Sequence, residues 1–266
     1  MTSLSYQWRA AGREHELLLV PVPGTNGQPY LFGRGSGRRP IEVSSFYLSA
    51  TPVTQALWLH ITGGNPAKFS GLDYPVENVS WEHINAPGGF LDRLNSSDLA
   101  ATIAGDQKGM RFRLPSETEW EYAARGGPGW QDGFVYSGSN DPDEVAWYGP
   151  RWTKAHDLLG WTMVRRLRLF RGRPTRIHDV AMKQPNQLGL YDMSGNVWEW
   201  CQDICTDDLA AVPEDGSPYL GPGEARRLRG GCHHNWNFHC SVSWRYGISP
   251  AAHDGCIGLR LVLAPA

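Results

Sequence analysis

Apolar and polar positions alternate or cluster in short runs along this chain, and few of the runs are long. Residues 16–24, "ELLLVPVPG", read as a strand ending in a Pro-Gly turn. Residues 41–64, "IEVSSFYLSATPVTQALWLHITGG", change period midway. The first half alternates as a strand does, and "TPVTQALWLHI" reads as a helix started by Thr51 or Thr54. Residues 75–95, "PVENVSWEHINAPGGFLDRLN", hold a second short helix interrupted at Pro87-Gly88-Gly89. The clearest helix lies in "LPSETEWEYAARGG" (114–127). Ser116 is placed to cap it, Glu119 completes a capping box, and Gly126 can close it. Residues 128–160 have no sustained period and read as loop, and "IGLRLVLAPA" reads as a final strand. No internal repeat is present. Few helices, many short strands and long loops predict an α+β fold.

Composition sharpens this picture. The 266 residues are 41% hydrophobic and 20% charged, which suits a globular chain with a substantial core. One domain over 1–266 is expected. Gly (31), Pro (19) and Trp (12) are all high, as in a fold with many turns whose loops are anchored by aromatic side chains. A net charge of −2 disfavours nucleic acid or an anionic membrane as the partner. No run approaches the ~18 apolar residues of a spanning helix, and the first residues do not resemble a secretory signal. A cytoplasmic location is therefore expected, with the five cysteines reduced. One segment departs from the rest: six arginines fall within residues 165–176. It reads as part of a solvated insertion over about 151–178; an anion or nucleic-acid patch is the alternative, but no phosphate loop or stacking aromatics accompany it.

Several motifs, in order, carry a resemblance. "LLLVPVPG", "FYLSATPVTQALW", "YPVENVSWEHI", "LPSETEWEYAARGG", "NQLGLYDMSGNVWEWCQD" and "LRGG…IGLR" resemble the formylglycine-generating enzyme (sulfatase-modifying factor) family over residues 16–263. The resemblance implies a C-type lectin-like fold: a small, mixed, mostly antiparallel sheet, two main helices and extensive loops. It also implies one of three activities. One is a copper-dependent oxidase acting on a sulfatase cysteine. Another is an iron-dependent synthesis of sulfur-containing histidine derivatives. The third is ligand binding by the variable protein of a diversity-generating retroelement.

The stretch "RGGCHHNWNFHC" (229–240) bears on the choice. In the oxidase, two cysteines five residues apart bind Cu(I), which favours thiolates. Aligned on "RGG", the second falls on Cys240, but the first falls on Asn235, whose amide oxygen does not replace a thiolate. The iron branch takes most of its histidines from an additional helical domain, which is expected to be missing here. An improvised Zn²⁺ or Fe²⁺ site from Cys232, His233, His234, His239 and Cys240 is disfavoured, because adjacent histidines in an extended segment point to opposite sides.

The third branch accounts for the composition. Retroelement mutagenesis of AAC codons yields only codons ending in C, which exclude Lys, Glu, Gln, Met and Trp. Residues 232–256 contain no Lys, Glu, Gln or Met, and Trp236 and Trp244 would be fixed. The expected reading is a ligand-binding protein with a hypervariable C-terminal surface and no catalytic residue. The alternative is a copper or iron oxidoreductase. The expected contacts to an unknown protein or small-molecule ligand are His233, His234, Asn235, Asn237, Phe238, His239, Cys240, Ser241, Ser243, Tyr246, Ile248, His253, Asp254 and Cys256. Mixed aromatic and adaptable polar side chains suit a paratope-like surface. No cofactor is required by this reading, but the resemblance implies a Ca²⁺ at Asp192, Gly195, Val197 and Glu199. Oxygen donors suit that cation, and loop bracing is the competing role. Glu117 and Glu121 share a helical face and read as bracing groups, and Cys201 and Cys205 read as packing thiols.

Overall fold

The computed structural model describes residues 1–105, 109–149 and 176–265. The arginine-rich stretch, apart from exposed Arg176, lies outside them, as does most of the insertion expected at 151–178. The first strands are β1 (Leu4–Ala10), β2 (Arg13–Val22), β3 (Tyr30–Phe32), β4 (Arg39–Ile41) and β5 (Phe46–Ser49). Four helices follow: α1 (Gln55–Thr62), α2 (Trp81–Asn85), α3 (Phe90–Asn95) and α4 (Asp98–Ala104). Then come β6 (Met110–Arg113), α5 (Glu117–Ala124) and α6 (Pro142–Val145). The chain ends with β7 (Trp198–Ile204), β8 (Arg226–Arg229), β9 (Tyr246–Ile248), β10 (Ile257–Leu259) and β11 (Val262–Pro265).

Most strands fall into two sheets, rather than the single one expected. One is antiparallel with order β1-β2-β5-β11-β6, and the other has order β10-β7-β8-β9, with β10 parallel to β7. β3 and β4 form a separate two-stranded ribbon. The expected final strand is split between the two main sheets. Arg260 sits at the split, its fully buried guanidinium turned onto Glu199 of β7 and the carbonyls of Ser49 and Tyr191. β10 stays beside β7 while β11 crosses to β5 and β6.

The helices follow their local signals. Thr54 caps α1 by accepting from the Leu57 N–H, and the chain leaves at Gly63 in the left-handed region. Trp58 of α1 stacks on Phe90 of α3 with centroids 4.5 Å apart, closing the core over the first sheet. The break at Pro87-Gly88-Gly89 separates α2 from α3. Ser116 and Glu119 form the expected capping box on α5. α1 and α5, at eight residues each, are the longest helices among the described residues. α6 and a 3₁₀ turn at Gly127–Asp132 interrupt the region expected to be loop.

α5 is the unusual element, because every one of its eight residues is buried, Glu117, Glu119 and Glu121 included. A buried helix with three carboxylates requires cations beside it. They come from β6, from just after α5, and from β8 and the segment after β8, as set out below.

One tight approach fixes the loop before β7. Gly195 has φ +80°, and a Cβ there would lie 2.1 Å from the Trp147 carbonyl oxygen. Gly195→Ala is expected to lower the unfolding free energy by roughly 2 kcal/mol or more, read by urea denaturation. An unchanged urea midpoint would show that this approach is not a constraint.

Candidate functional site

The C-terminal segment starts from a buried ionic anchor. Arg229, the last residue of β8, is fully buried and donates to Glu117 Oε1 at 3.1 Å, Glu121 Oε2 at 2.6 Å and the Val242 carbonyl at 2.6 Å. Arg245 grips Glu117 with two bonds of 2.7 Å. Arg227 is ion-paired to the same carboxylate at 3.1 Å. Glu121 also takes Arg125 at 2.8 Å, and Glu119 takes Arg113 at 2.7 Å through both oxygens. Burial alone would raise the Glu117 carboxyl, but Arg245, Arg229 and Arg227 outweigh it and hold the group below the usual carboxylate range. The bracing role expected for Glu117 and Glu121 is what the geometry gives them.

After this anchor the chain turns through Gly230 and Gly231, both at positive φ. A Cβ on Gly231 would meet Cys240 Sγ at 2.7 Å and Cys240 Cα at 2.9 Å, so the segment packs back on its own start. A 3₁₀ turn covers Asn237–Cys240, Val242 N–H donates to the Val135 carbonyl, and β9 returns along β8. The Trp198 N–H donates to the Cys256 carbonyl at 2.8 Å, tying the segment's end to β7. Its two ends and its middle are thus fixed by frame atoms.

The expected contact residues divide between two clefts. A cavity of about 370 Å³ is lined by His234, Asn235, His239, Trp244, Tyr246, Ile248, Asp254 and Cys256, with Trp198, Leu228 and Ile257 of the second sheet also lining it. Tyr246 packs on Trp198 with centroids 5.5 Å apart, and His239 meets Trp244 edge-on at 4.7 Å. Phe238, Ser241 and Ser243 line a second cleft of about 320 Å³ beside Arg34, Arg38 and Arg125. Asn237 donates to the Tyr136 hydroxyl at 3.1 Å, and exposed His253 meets Asn78 Oδ1 at 2.9 Å.

The surface is narrower than the expected residue set. His233 is buried, its N–H and Nδ1 both on the Asn196 carbonyl. Cys240 is fully buried in an apolar cluster with Tyr136, Val145, Ala146 and Tyr148. Ser241 and Cys256 of the expected set are buried too, and the turn at 237–240 folds Cys240 beneath Gly231.

Burial and close contacts disfavour the thiolate at four cysteines, Cys201, Cys205, Cys240 and Cys256. Burial pushes the Cys240, Cys201 and Cys205 thiols up. Cys256 is raised by its contact with Cys232 and by burial. Burial lowers His233 and His239, so both imidazoles are neutral near pH 7. His234 is raised by its contact with Cys256. A protonated thiol is a poor nucleophile.

The disfavoured set Cys232, His233, His234, His239 and Cys240 is not brought together; the structure instead gathers Cys232, His234 and Cys256, their ligand atoms all within 4.8 Å of one another. Trp198, Leu228 and Ile257 also entered the cleft unannounced; the aromatic "VWEW" run was the only sequence sign of them.

The donors present do not fit the metals that the resemblance implies. The copper pair is not assembled: Asn235 presents an amide whose Oδ1 accepts from Cys232, and Cys240 lies in its apolar cluster. The calcium set fits no better. Glu199 accepts from Trp120 Nε1 at 2.6 Å and from Arg260 at 2.9–3.1 Å, so both its oxygens face buried donors. Asp192 accepts from the Ala181 N–H at 2.8 Å, and burial raises it to about 6. Gly195 and Val197 lie in the same tightly packed loop. A cation beside Glu199 would face the Arg260 guanidinium.

Residues 16–265 match the sulfatase-modifying factor enzyme 1-like domain. Among curated relatives, the chaperone protein LppX of Paenibacillus barcinonensis is 38% identical over 186 residues, covering 60% of this chain and 63% of that protein. The formylglycine-generating enzyme of Streptomyces coelicolor is 29% identical over 225 residues, covering 76% of this chain and 59% of that protein. The chain thus spans less than two thirds of the length of either relative. Treponema denticola variable protein 1 superposes with a TM-score of 0.74 and 26% identity, over 98% of this chain and 99% of the other. The C-type lectin-like fold expected from the motifs is the fold observed.

Glu117 gives a test of the anchor. Its folded value lies below the unfolded one of about 4.3, so its contribution is present above that pH and is lost as pH falls through the folded value. Glu117→Gln is expected to cost about 3–5 kcal/mol at neutral pH and to flatten the loss of stability below about pH 4.3, read by urea unfolding across pH. A wild-type acid limb retained in the variant would contradict the assignment.

Proposed function

The chain belongs to the sulfatase-modifying factor enzyme 1-like family, and from that premise we propose that it is a ligand-binding protein whose C-terminal surface is diversified by a retroelement. The observation that carries this reading is the contrast between frame and segment. Arg229, Arg245 and Arg260 are committed to buried carboxylates, while the side chains between them open into two clefts. The near full-length likeness to Treponema denticola variable protein 1 supports it. So does the absence of Lys, Glu, Gln and Met from residues 232–256.

The ligand would meet an aromatic and imidazole surface in one cleft and a more basic surface in the other. Trp198, Trp244 and Tyr246 supply stacking area at small entropic cost, and His234, Asn235 and Asp254 supply hydrogen bonding. An oxidoreductase centred on Cys240 is opposed by the burial of that thiol and by Asn235 in the partner position. The reading has no catalytic residue and needs no cofactor for binding; a cytoplasmic location is part of the same proposal. Among the described residues no helix is long and apolar enough to cross a membrane.

Two measurements test the proposal. The locus is expected to hold a reverse transcriptase and a near copy of the 3′ coding segment; a locus with neither would remove the retroelement. Simultaneous alanine substitution of His234, Asn237, Ser243, Tyr246 and His253 is expected to keep each cost near ~0.5 kcal/mol, so the variant stays folded by near-UV circular dichroism. Unfolding of this variant would show that the segment is structural.

A further inference from the structure

We propose that Cys232, His234 and Cys256 form a Zn²⁺ site at the edge of the 370 Å³ cleft, with a fourth coordination position left to a water or an added ligand atom. Two of its ligands, His234 and Cys256, are positions of the proposed variable segment, so the site belongs to this particular sequence whether or not the segment varies; neither Asn235 nor Cys240 is a ligand.

The spacing is that of a metal site. Cys256 Sγ lies 3.6 Å from His234 Nε2. In tetrahedral coordination with Zn–S near 2.3 Å and Zn–N near 2.0–2.1 Å, sulfur and nitrogen lie roughly 3.6 Å apart. Cys232 Sγ is within 4.8 Å of both other ligand atoms. Closing it to the roughly 3.8 Å of two zinc-bound sulfurs needs a shift of about 1 Å or less.

The ligands are also held from behind. The Cys232 carbonyl accepts from the Asn235 N–H at 3.0 Å, and the Cys256 carbonyl accepts from Trp198 on β7. The Cys232 thiol donates to Asn235 Oδ1 and the Cys256 thiol to Asp254 Oδ1, each at 3.0 Å; both donations are given up when the thiols lose their protons, and the metal charge must outweigh the Asp254 carboxylate beside Cys256. Cys232 and Cys256 are buried, whereas His234 is exposed, so an ion could enter from the solvent side. Two thiolates and one imidazole form a donor set that zinc accepts with one position open.

Binding is written as Zn²⁺ plus two thiols giving a zinc dithiolate and two released protons. The two negative charges created are neutralised by the metal. The ion would join the start of segment 232–256 to its end, closing the loop that carries the cleft. That would restrict the unfolded chain as well as fix the loop.

The test uses the full chain, reduced and freed of metal. Zn²⁺ is titrated against a competing chelator, and Co²⁺ replaces it for absorption spectroscopy. One Zn²⁺ per chain is expected, with thiolate-to-cobalt charge transfer and the intense visible bands of tetrahedral Co²⁺. Cys232→Ser and Cys256→Ser should abolish the charge-transfer band or halve it. His234→Ala, at an exposed position that does not threaten folding, should weaken Zn²⁺ binding at least about 10-fold. Cys205→Ser should change nothing. Near-UV circular dichroism checks that each variant is folded.

Several results would overturn the site. They are no Zn²⁺ bound by the folded reduced protein, binding retained in Cys256→Ser but lost in Cys240→Ser, and Cu(I) bound where Zn²⁺ is not. A Cys232–Cys256 disulfide in the protein as isolated, found by mass spectrometry after alkylation without reduction, would do the same.

Discussion

The carboxylate of Glu117 sits buried among three guanidiniums, and the C-terminal half of the molecule is arranged around it. Arg227 and Arg229 come from β8 and Arg245 from the segment that follows. Glu121, one helical turn on, takes a second hand of Arg229 and the side chain of Arg125. Such a cluster is costly to desolvate, and breaking it leaves buried charge without a partner. Its effect is geometric: α5, β8 and the start of β9 can meet in one way only. Glu199 repeats the device at the other end, with Arg260 and Trp120. The "RGG" and "IGLR" ends of the segment are thus set by ion pairs inside the core, and what lies between them does not have to hold the fold.

That division explains why the cleft can carry varied side chains. The main chain of residues 232–256 is held by backbone bonds to Asn196, Val135 and Trp198, by pairing of β9 with β8, and by a glycine approach at Gly231. None of these depends on the identity of His234, Asn237 or Tyr246. Rigid frame and exchangeable surface are the two requirements of a binding loop system. The raised Cys240 and Cys256 thiols fit binding better than nucleophilic chemistry.

Local signals in the sequence were read well, and distant ones were not. The capping box of Ser116 and Glu119 and the break at Pro87-Gly88-Gly89 are written within a few residues. The bracing role of Glu117 was legible because it shares a helical face with Glu121. Which partners could not be read, since Arg229 and Arg245 lie 112 and 128 positions away. β1 escaped because only Trp8 is buried along it, and β7 because it is buried on both faces and shows no alternation. The meeting of Cys232 with Cys256 had no sequence sign: the turn at Asn237–Cys240 sends Cys240 into the Tyr136 cluster, and the approach to β10 brings Cys256 back to Cys232.

The account rests on a fixed ionic frame around an exchangeable surface. Deep sequencing of this gene across a population of its source cells tests it most directly. The prediction is substitutions concentrated at adenine-derived codons within residues 233–256, with Glu117, Arg229, Arg245 and Arg260 unchanged. Substitutions spread evenly along the chain, or a segment as invariant as the frame, would contradict it.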